Sequence, residues 1–268
     1  MGEDLAGVTS RPDILHRLVA ESAQEMEERR QVTPLTAVER LASMYEPRDF
    51  AGALRVAGLS VIAEVKQRTP SMGVLTTDYQ PARLAASYER GGAAAISVLT
   101  HRAGFGGEVD HLDAVREVTS LPILRKDFVT EPYQVVEARA HGADAVLLIV
   151  AALTRHSLAA LIKVAKEHGL AALVEVHDEE EARVAVEAGA QVIGVNHRDL
   201  RTFDVDLGLT ERLRPLIPRD RVLVAESGIK GREDARLMRV AGADAILAGE
   251  VLMRATDPAA VIRELRGA

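Results

Sequence analysis

The segment Val61-Ile-Ala-Glu-Val-Lys-Gln-Arg-Thr-Pro-Ser-Met-Gly73 starts with apolar residues and ends in residues that break regular structure. The β-branched residues at its start predict a strand. Because side chains alternate along a strand, Glu64 and Lys66 are expected on one face at its end. An acid and a base leaving an apolar strand together are costly to desolvate unless they pair or meet a charged ligand. The segment therefore predicts a buried strand that ends in a functional site.

Short apolar runs alternate with amphipathic runs from this segment to the C-terminus. We predict eight strands, at 61–66, 94–99, 122–126, 144–149, 171–175, 191–195, 222–226 and 244–248. We predict helices between them at 81–88, 132–140, 155–167, 179–187 and 232–240. Such alternation predicts βαβ units and a parallel sheet.

A short repeat enters every second predicted strand. Its four copies are Gly92-Ala-Ala-Ala-Ile96, Gly142-Ala-Asp-Ala-Val146, Gly189-Ala-Gln-Val-Ile193 and Gly242-Ala-Asp-Ala-Ile246. Two βα units repeated four times predict an α/β fold with eight-fold closure, a (β/α)8 TIM barrel. A doubly wound open sheet also alternates, but the chain lacks the glycine-rich dinucleotide loop of that fold. The glycines also suit helix ends, and Asp178 with Glu181 predicts a capping box.

The first part of the chain carries helical rather than alternating patterns. Apolar residues at helical spacing predict a helix at 11–31, with shorter helices at 36–44 and 47–56. We therefore predict a single domain, residues 1–268, with an N-terminal helical extension at 1–58 and the barrel at 59–268.

Composition restricts the classes of partner and site. A net charge of −7 argues against a nucleic-acid binder, and no apolar run is long enough to cross a membrane. There are no cysteines and no signal peptide is recognisable, so we expect a soluble cytoplasmic protein. The histidines at 101, 111, 141 and 197 lack metal-ligand spacing, so no metal site is expected. His177 is expected on the face opposite Glu175 and outside any site.

Charged residues stand where the odd-numbered strands end. Strand one ends in Glu64 and Lys66, and the later odd strands end in Lys126, Glu175 and Glu226, the last followed by Ser227. Strand six adds Asn196, with Arg198 and Asp199 after it. Catalytic groups of such barrels lie at the carboxyl ends of the strands, and alternate strands contribute to one layer. We therefore expect these groups to meet. Lysines there would hold an anion and protonate a carbonyl, glutamates would move protons, and the amide would bind a hydroxyl or oxyanion.

Two further features suggest the shape of a ligand. Ser227-Gly228-Ile229 and Ala248-Gly249-Glu250 each follow a strand and precede a helix, which is typical of the phosphate site of this fold. Phe105 lies in a glycine-rich loop after strand two, where it would either stack on an aryl group or anchor the loop.

The residues that carry these features resemble the indole-3-glycerol-phosphate synthase family, from about residue 14 to the C-terminus. The matching segments are Ile62–Lys66 with Pro70, Ser71 and Gly73, Leu124–Phe128, Leu147–Val150, Leu173–His177, Gly194–Leu200, Ala225–Ile229 and Gly249–Arg254. The resemblance implies closure of an indole ring with loss of carbon dioxide and water, in tryptophan biosynthesis and without a metal or organic cofactor. The implied substrate is 1-(2-carboxyphenylamino)-1-deoxyribulose 5-phosphate. Any protein partners would be other enzymes of that pathway.

The resemblance also implies roles for individual residues. The catalytic set would be Glu64, Lys66, Lys126, Glu175, Asn196 and Glu226, with Lys126 as general acid on the carbonyl. The substrate-binding set would be Thr69, Phe105, Leu147, Arg198, Leu200, Ser227, Gly228, Gly249 and Glu250, and the N-terminal helices would partly cover the mouth. Four residues depart from the family's usual pattern: Thr69 for Ser, His197 for Asn, Glu108 for Ser, and Glu250, whose carboxylate would repel a phosphate.

Two alternatives stay open at this point. The chain could be another phosphosugar barrel enzyme, either an isomerase or a Schiff-base aldolase that uses Lys66 or Lys126. It could also be a non-catalytic barrel that binds without turnover.

Overall fold

A computed structural model of the chain describes residues 14–70, 72–199 and 202–268. Within these ranges, eight parallel strands close into a barrel in sequence order, and the last pairs with the first. The strands are β1 (Ser60–Val65), β2 (Ala95–Leu99), β3 (Ile123–Lys126), β4 (Ala145–Ile149), β5 (Ala171–Val176), β6 (Val192–Asn196), β7 (Val222–Glu226) and β8 (Ala245–Ala248). The predicted fold class is confirmed, and each observed strand end lies within one residue of its predicted position.

Helices follow or precede the strands as the alternating pattern requires. They are α1 (Ile14–Val32), α2 (Leu35–Ala42), α3 (Phe50–Ala53), α4 (Pro81–Gly91), α5 (Arg102–Phe105), α6 (Asp110–Arg116), α7 (Pro132–Ala140), α8 (Arg155–Glu167), α9 (Glu179–Glu187), α10 (Leu209–Leu213), α11 (Arg232–Val240), α12 (Glu250–Met253) and α13 (Pro258–Arg266). A two-stranded hairpin, Arg68–Thr69 with Gly73–Val74, follows β1. The bounds of α7, α8, α9 and α11 match the prediction, whereas the helix predicted at 47–56 is a single turn. The division into an extension at 1–58 and a barrel at 59–268 stays a prediction.

Two apolar layers surround the strands because side chains point alternately inward and outward. The inward layer includes Ile62, Leu124, Leu173 and Val224, all fully buried. The outward residues pack under the ring of helices. Burial of each such side chain contributes about 1.5–3 kcal/mol.

Helix α3 lies at the end of the barrel where the strands begin. It supplies Phe50 to the inward cluster, and Leu54 follows directly. Ser60 Oγ, at the start of β1, donates to the Leu54 carbonyl at 3.2 Å, and Arg55 Nη2 donates to the Asp220 carbonyl at 2.6 Å, just before β7. This turn therefore covers one end of the barrel and leaves the other end open for chemistry.

The repeat found in the sequence holds neighbouring strands together. Asp144 Oδ2 accepts from the Ile123 N–H at 2.9 Å, and Asp244 Oδ2 accepts from the Leu223 N–H at 2.8 Å. In both cases the aspartate before one strand fixes the beginning of the strand next to it. The glycine of the repeat ends the preceding helix with a positive φ, +78° at Gly142.

The predicted capping box at the start of α9 is only half formed. Asp178 Oδ1 accepts from the Glu181 N–H at 2.8 Å, as predicted. The Glu181 carboxylate accepts from the His177 N–H at 2.8 Å instead of completing the box. A complete capping box occurs at α7 between Glu131 and Gln134, where the sequence did not predict one.

Helix α1 is tied to the barrel by a group that we call the outer network: Arg29, Arg125, Asp127 and Glu137. Arg125 leaves β3 on its outer face and is fully buried. It donates to Asp127 at 3.0 Å and to Glu137 at 2.9 Å, and Arg29 of α1 donates to the other Glu137 oxygen at 2.7 Å. These bonds hold α1 close to the carboxyl ends of the strands. None of the helices in the described ranges is both long and apolar enough to span a bilayer.

Candidate active site

Five charged side chains meet inside the barrel at its open end, and we call them the mouth cluster. They are Glu64 and Lys66 from β1 and the turn after it, Lys126 from β3, Glu175 from β5 and Glu226 from β7. The three glutamates are 1–4% exposed. They meet because inward residues at one height come from alternate strands. The sequence prediction that these groups converge is therefore met by the geometry.

Lys126 lies between two carboxylates. Its Nζ is 3.6 Å from Glu175 Oε2 and 3.8 Å from Glu226 Oε2. Lys66, in the turn after β1, pairs with Glu64 of β1. Asn196, at the end of β6, donates through Nδ2 to Glu175 Oε1 at 3.1 Å. One ammonium group therefore faces two acids, and in the part of the chain that the structure describes only Glu175 also accepts from a neutral donor.

The two acids near Lys126 have opposite ionisation tendencies. Burial disfavours the charge on Glu175, but Lys126, His177 and Asn196 outweigh it and lower its pKa. Burial and the nearby Glu175 charge raise the pKa of Glu226, to about 8. Burial also opposes the charge on Lys126, yet the surrounding carboxylates raise its pKa. Lys126 therefore lies between one acid whose pKa is lowered and one whose pKa is raised.

Two polar atoms in the mouth cluster are left for a ligand. Within the described residues, Glu175 Oε2 and Glu226 Oε1 are buried and accept no hydrogen bond. A buried polar atom without a partner costs about 1–3 kcal/mol. Both atoms belong to side chains that line the cavity, so a substrate can supply the missing partners.

Glycines make room for the mouth cluster. A Cβ atom on Gly249 would lie 2.3 Å from Glu64 Oε1 and 2.8 Å from Lys66 Nζ. A Cβ atom on Gly194, in β6, would lie 2.0 Å from Glu226 Oε1. The sequence prediction assigned Gly249 to a phosphate alone, and the structure adds that any side chain there would displace the Glu64–Lys66 pair.

The mouth cluster lies in a cavity of about 820 Å³. Fourteen of the fifteen predicted site residues line it: Glu64, Lys66, Thr69, Phe105, Lys126, Leu147, Glu175, Asn196, Arg198, Glu226, Ser227, Gly228, Gly249 and Glu250. The fifteenth, Leu200, lies outside the described residues. Leu18 of α1 also lines the cavity, together with Phe128 and Ile149, which the sequence prediction missed. The individual roles predicted for these residues stay predictions.

One end of the cavity has the backbone of an anion site. Ser227 and Gly228 both have positive φ, +67° and +79°, directly after β7. Val205 Cγ1 would lie 2.5 Å from a Cβ atom on Gly228, so only backbone fits there. Glu250 was expected to repel an anion, but its carboxylate lies 3.3 Å from Arg254 Nε. That pairing reduces the repulsion.

The opposite wall carries aromatic rings. Phe105 ends the short helix α5 and packs near Phe128, with ring centroids 6.3 Å apart. His101 lies edge-on to both rings, at 6.1 and 5.2 Å. Phe105 is therefore both an anchor of its loop and part of the cavity wall, so the two interpretations left open by the sequence do not exclude each other.

The prediction for His177 was wrong. Its Nε2 lies 3.3 Å from Glu175 Oε1 and its Nδ1 lies 3.1 Å from Glu181 Oε2. Residues two apart share a face of a strand, so the spacing from Glu175 was the signal that should have revealed this contact. Burial opposes a charge on His177, but the two carboxylates raise its pKa to about 10.

Two surface groups lie apart from the cavity. Asp110, Asp113 and His141 bring potential metal-ligand atoms within 4.8 Å of one another, the one such group found in the described ranges. None of the three lines the cavity. Glu108, which departs from the expected pattern, pairs with Arg102 at 3.1 Å and also does not line it.

A family model and the most similar named relatives agree on one family. A family model described as indole-3-glycerol phosphate synthase matches residues 15–265. Indole-3-glycerol phosphate synthase 2 of Streptomyces coelicolor is 56% identical over 255 residues, which cover 95% of this chain and 99% of that protein. The synthase of Dehalococcoides mccartyi is 45% identical, with coverage of 94% and 99%. The crystal structure of 3-hexulose-6-phosphate synthase from Salmonella typhimurium matches 78% of this chain and 97% of that one, at 18% identity and a TM-score of 0.62, which supports the barrel fold alone.

Proposed function

The chain belongs to the indole-3-glycerol phosphate synthase family, and we propose that the mouth cluster carries out the reaction of that family. Its function is therefore that of a decarboxylating lyase of tryptophan biosynthesis, acting on a phosphorylated small molecule. The proposed substrate is 1-(2-carboxyphenylamino)-1-deoxyribulose 5-phosphate. Its aryl carboxylate, ketone and phosphate set three requirements that the cavity has to meet.

The protons taken up and released during ring closure determine which acids and bases the site has to supply. The aryl carbon that bears the carboxylate bonds to the ketone carbon, and the ketone oxygen becomes a hydroxyl. Carbon dioxide then leaves, and the hydroxyl departs as water while the adjacent CH2 group loses a proton. The oxygen takes up two protons and carbon releases one, so each turnover consumes one proton. The site therefore needs an acid at the oxygen and a base near the adjacent carbon.

Lys126 is the proposed acid at the ketone oxygen. Its Nζ lies 3.6 Å from Glu175 Oε2 and 3.8 Å from Glu226 Oε2, and the charge of Glu175 favours the ammonium form. An ammonium group both stabilises negative charge that develops on the oxygen and supplies the proton. This arrangement is the single observation that carries the proposal. A purely structural ion pair would have its carboxylate oxygens hydrogen-bonded, whereas Glu175 Oε2 and Glu226 Oε1 accept no hydrogen bond from the described residues.

Lys66 and Glu64 form the second pair in the proposed mechanism. Lys66 would bind the aryl carboxylate, which brings the anion over the ring-closing carbon, and it would assist the departure of the hydroxyl. Glu64 would orient Lys66 and accept a proton. Burial opposes the charge on Glu64, but Lys66 and Lys126 lower its pKa, so it is available as a base.

Three residues are proposed to bind the sugar portion of the substrate or move its protons: Glu175, Glu226 and Asn196. Glu175 is the proton-transfer carboxylate, since its pKa is lowered and its Oε2 atom is free of hydrogen bonds from the described residues. Glu226, with its raised pKa, keeps its proton and donates it in a hydrogen bond to a ribulose hydroxyl. Asn196 binds a hydroxyl with the capacity left after it has donated to Glu175.

The remaining cavity residues are proposed to fix the two ends of the substrate. Ser227, Gly228 and Gly249 would hold the phosphate through backbone N–H groups. Phe105 and Leu147 would contact the aryl ring. Thr69, Arg198, Leu200 and Glu250 complete the proposed binding set.

The direct test follows indole fluorescence after the purified protein is mixed with the proposed substrate. We expect a rise that depends on enzyme concentration and stops when substrate is consumed. Substrate binding without turnover at high enzyme concentration would instead support the non-catalytic barrel. A Schiff-base aldolase is tested by borohydride trapping with a ketose phosphate. The raised pKa of Lys126 argues against an imine there, because imine formation needs the neutral amine.

Location and partners follow from the same proposal. We propose a cytoplasmic enzyme that binds neither nucleic acid nor membrane, because the net charge is −7 and the basic groups of the cavity are balanced by acids. Contacts with other enzymes of tryptophan biosynthesis are proposed as the protein partners. Co-purification of the tagged chain with those enzymes, compared with a tag-only control, tests this part.

A further inference from the structure

The two oxygens of Glu175 have different surroundings. Oε1 accepts from Asn196 Nδ2 at 3.1 Å and lies 3.3 Å from His177 Nε2, which is an ion-pair distance without hydrogen-bond geometry. Oε2 lies 3.6 Å from Lys126 Nζ and, within the described residues, accepts no hydrogen bond. One oxygen is therefore held by the protein and the other is left for proton transfer.

His177 does not line the main cavity and contacts Glu175 from outside it. Its Nδ1 lies 3.1 Å from Glu181 Oε2 and its backbone N–H donates to the same oxygen at 2.8 Å, so the ring is fixed from α9. His177 borders a second cavity of about 650 Å³, which shares Asn196 with the first. The other titratable or charged groups on this second cavity are Asp178, Glu181, His197, Asp199, Asp204, Asp206 and Arg212. Most of them are acidic, which favours an imidazolium ion at His177.

We propose that His177 is a positioning residue which, as an imidazolium bridging Glu175 and Glu181, makes Glu175 rather than Glu226 the ionised acid beside Lys126. This inference rests on the proposed function, since it concerns the protonation of the proposed proton-transfer carboxylate. Within the described residues Glu226 differs, because its Oε1 atom accepts no hydrogen bond and its carboxylate pairs with Lys126 but with no histidine. Glu175 and Glu226 both lie near Lys126, and the imidazolium of His177 therefore distinguishes Glu175 from Glu226.

Loss of His177 has a consequence that depends on pH. Without the cation, the pKa of Glu175 rises toward that of Glu226, and a larger fraction of Glu175 carries the proton as the pH falls. An opposite charge at this range is worth about 1–3 pKa units. A purely structural role would lower the rate by the same factor at every pH.

The experiment compares His177→Gln with the wild type and with His156→Gln. Gln keeps a donor at the position of Nε2 but carries no charge, and His156 is an exposed residue of α8 that serves as the matched control. We expect kcat of His177→Gln to fall about twofold or more relative to the wild type at pH 5, with recovery toward the wild-type value at pH 8.5 and little change in KM. His156→Gln should follow the wild type. A loss of equal size at both pH values would overturn the proposal.

Two further measurements keep the inference testable where His177→Gln does not fold. Glu181→Gln leaves His177 in place and removes one of its two carboxylates, so its pH profile should move in the same direction by less. Nitrogen NMR of ¹⁵N-histidine-labelled wild type should show His177 doubly protonated at pH 8, above the usual histidine pKa of about 6.5. A neutral imidazole at pH 8 would overturn the inference. Because this readout needs no turnover, it separates failure of this inference from failure of the proposed function.

Discussion

Neighbouring residues of β3 enter two different groups of buried charges. Arg125 points outward into the outer network and Lys126 points inward into the mouth cluster. The Nε, Nη1 and Nη2 atoms of Arg125 donate to Thr100, Glu137 and Asp127 at 3.1, 2.9 and 3.0 Å. In the mouth cluster, by contrast, two carboxylate oxygens accept no hydrogen bond from the residues that the structure describes.

The difference separates a structural use of charge from a functional one. Burial alone does not make the distinction, because Glu137 and Glu175 are 3% and 2% exposed. The number of satisfied hydrogen bonds does make the distinction. A buried network whose polar atoms are all paired stabilises the fold, whereas unpaired polar atoms cost free energy until a ligand binds. The outer network therefore positions α1, and the mouth cluster is prepared for a substrate.

The largest effect is expected for Lys126→Met. Removal of the proposed acid should reduce kcat by about 10²–10⁴-fold. Stability should change little, because the cavity admits water and the carboxyl groups left behind can take up protons. Steady-state kinetics by indole fluorescence and urea unfolding measure the two effects. A near-normal kcat would refute the general-acid role.

Arg125→Met should show the reverse pattern. It leaves Asp127 and Glu137 without their shared partner, and breaking such a buried pair costs about 3–5 kcal/mol of unfolding free energy. Turnover per folded molecule should stay close to the wild-type value, because Arg125 does not line the cavity. Urea unfolding measures the loss of stability, and kinetics corrected for the folded fraction measure the turnover. If this variant lost turnover while keeping its stability, the contrast between the two groups would fail.

Glu226→Gln is expected to have a smaller effect on rate and a pH-dependent effect on stability. Gln resembles the protonated acid, so kcat below pH 8 should fall less than about tenfold. The folded pKa of Glu226, about 8, lies above its unfolded value. Its contribution to stability is therefore complete below the unfolded pKa of about 4.3 and is lost as the pH rises toward the folded pKa.

The side chain of Glu226→Gln does not titrate, so this variant does not lose stability in that way as the pH rises. The free energy of unfolding of the variant minus that of the wild type should consequently grow between the unfolded and folded pKa values and then stay level. Urea unfolding in a pH series measures this difference. A constant difference across the series would show that Glu226 does not hold its proton in the folded protein.

Glu108→Ser should have the smallest effect. The Glu108–Arg102 pair is about half exposed on both sides, and exposed pairs contribute about 0–1 kcal/mol. We expect kcat/KM to stay within about twofold of the wild type. A loss of more than tenfold would mean that the loop after β2 reaches the substrate through this residue.

The sequence predicted the fold because the strand pattern is strong and local. Aliphatic runs, helix-ending glycines and the repeat together determined eight strands with ends accurate to one residue. Convergence of Glu64, Lys126, Glu175 and Glu226 was also predictable, because barrel closure brings alternate strands to one height.

Other features depended on contacts that no local pattern encodes. The role of Gly194 is apparent only when Glu226, from the next strand, is seen to occupy its space. The half-formed capping box of α9 arose because Glu181 has a second partner, His177. Arg125 and Lys126 are adjacent basic residues, and only the side chains that meet each of them reveal which one is structural.

Closure of the barrel by its last strand also encloses the mouth cluster. All members of the mouth cluster precede β8 in the chain, yet β8 is the strand that joins β7 to β1, with Ala248 beside Ala63. Without β8, the strands β1 and β7 would each have an unpaired edge, and the mouth cluster would be open on that side. β8 therefore supplies no charged side chain to the mouth cluster, yet it completes the burial on which the shifted pKa values of Glu175 and Glu226 depend.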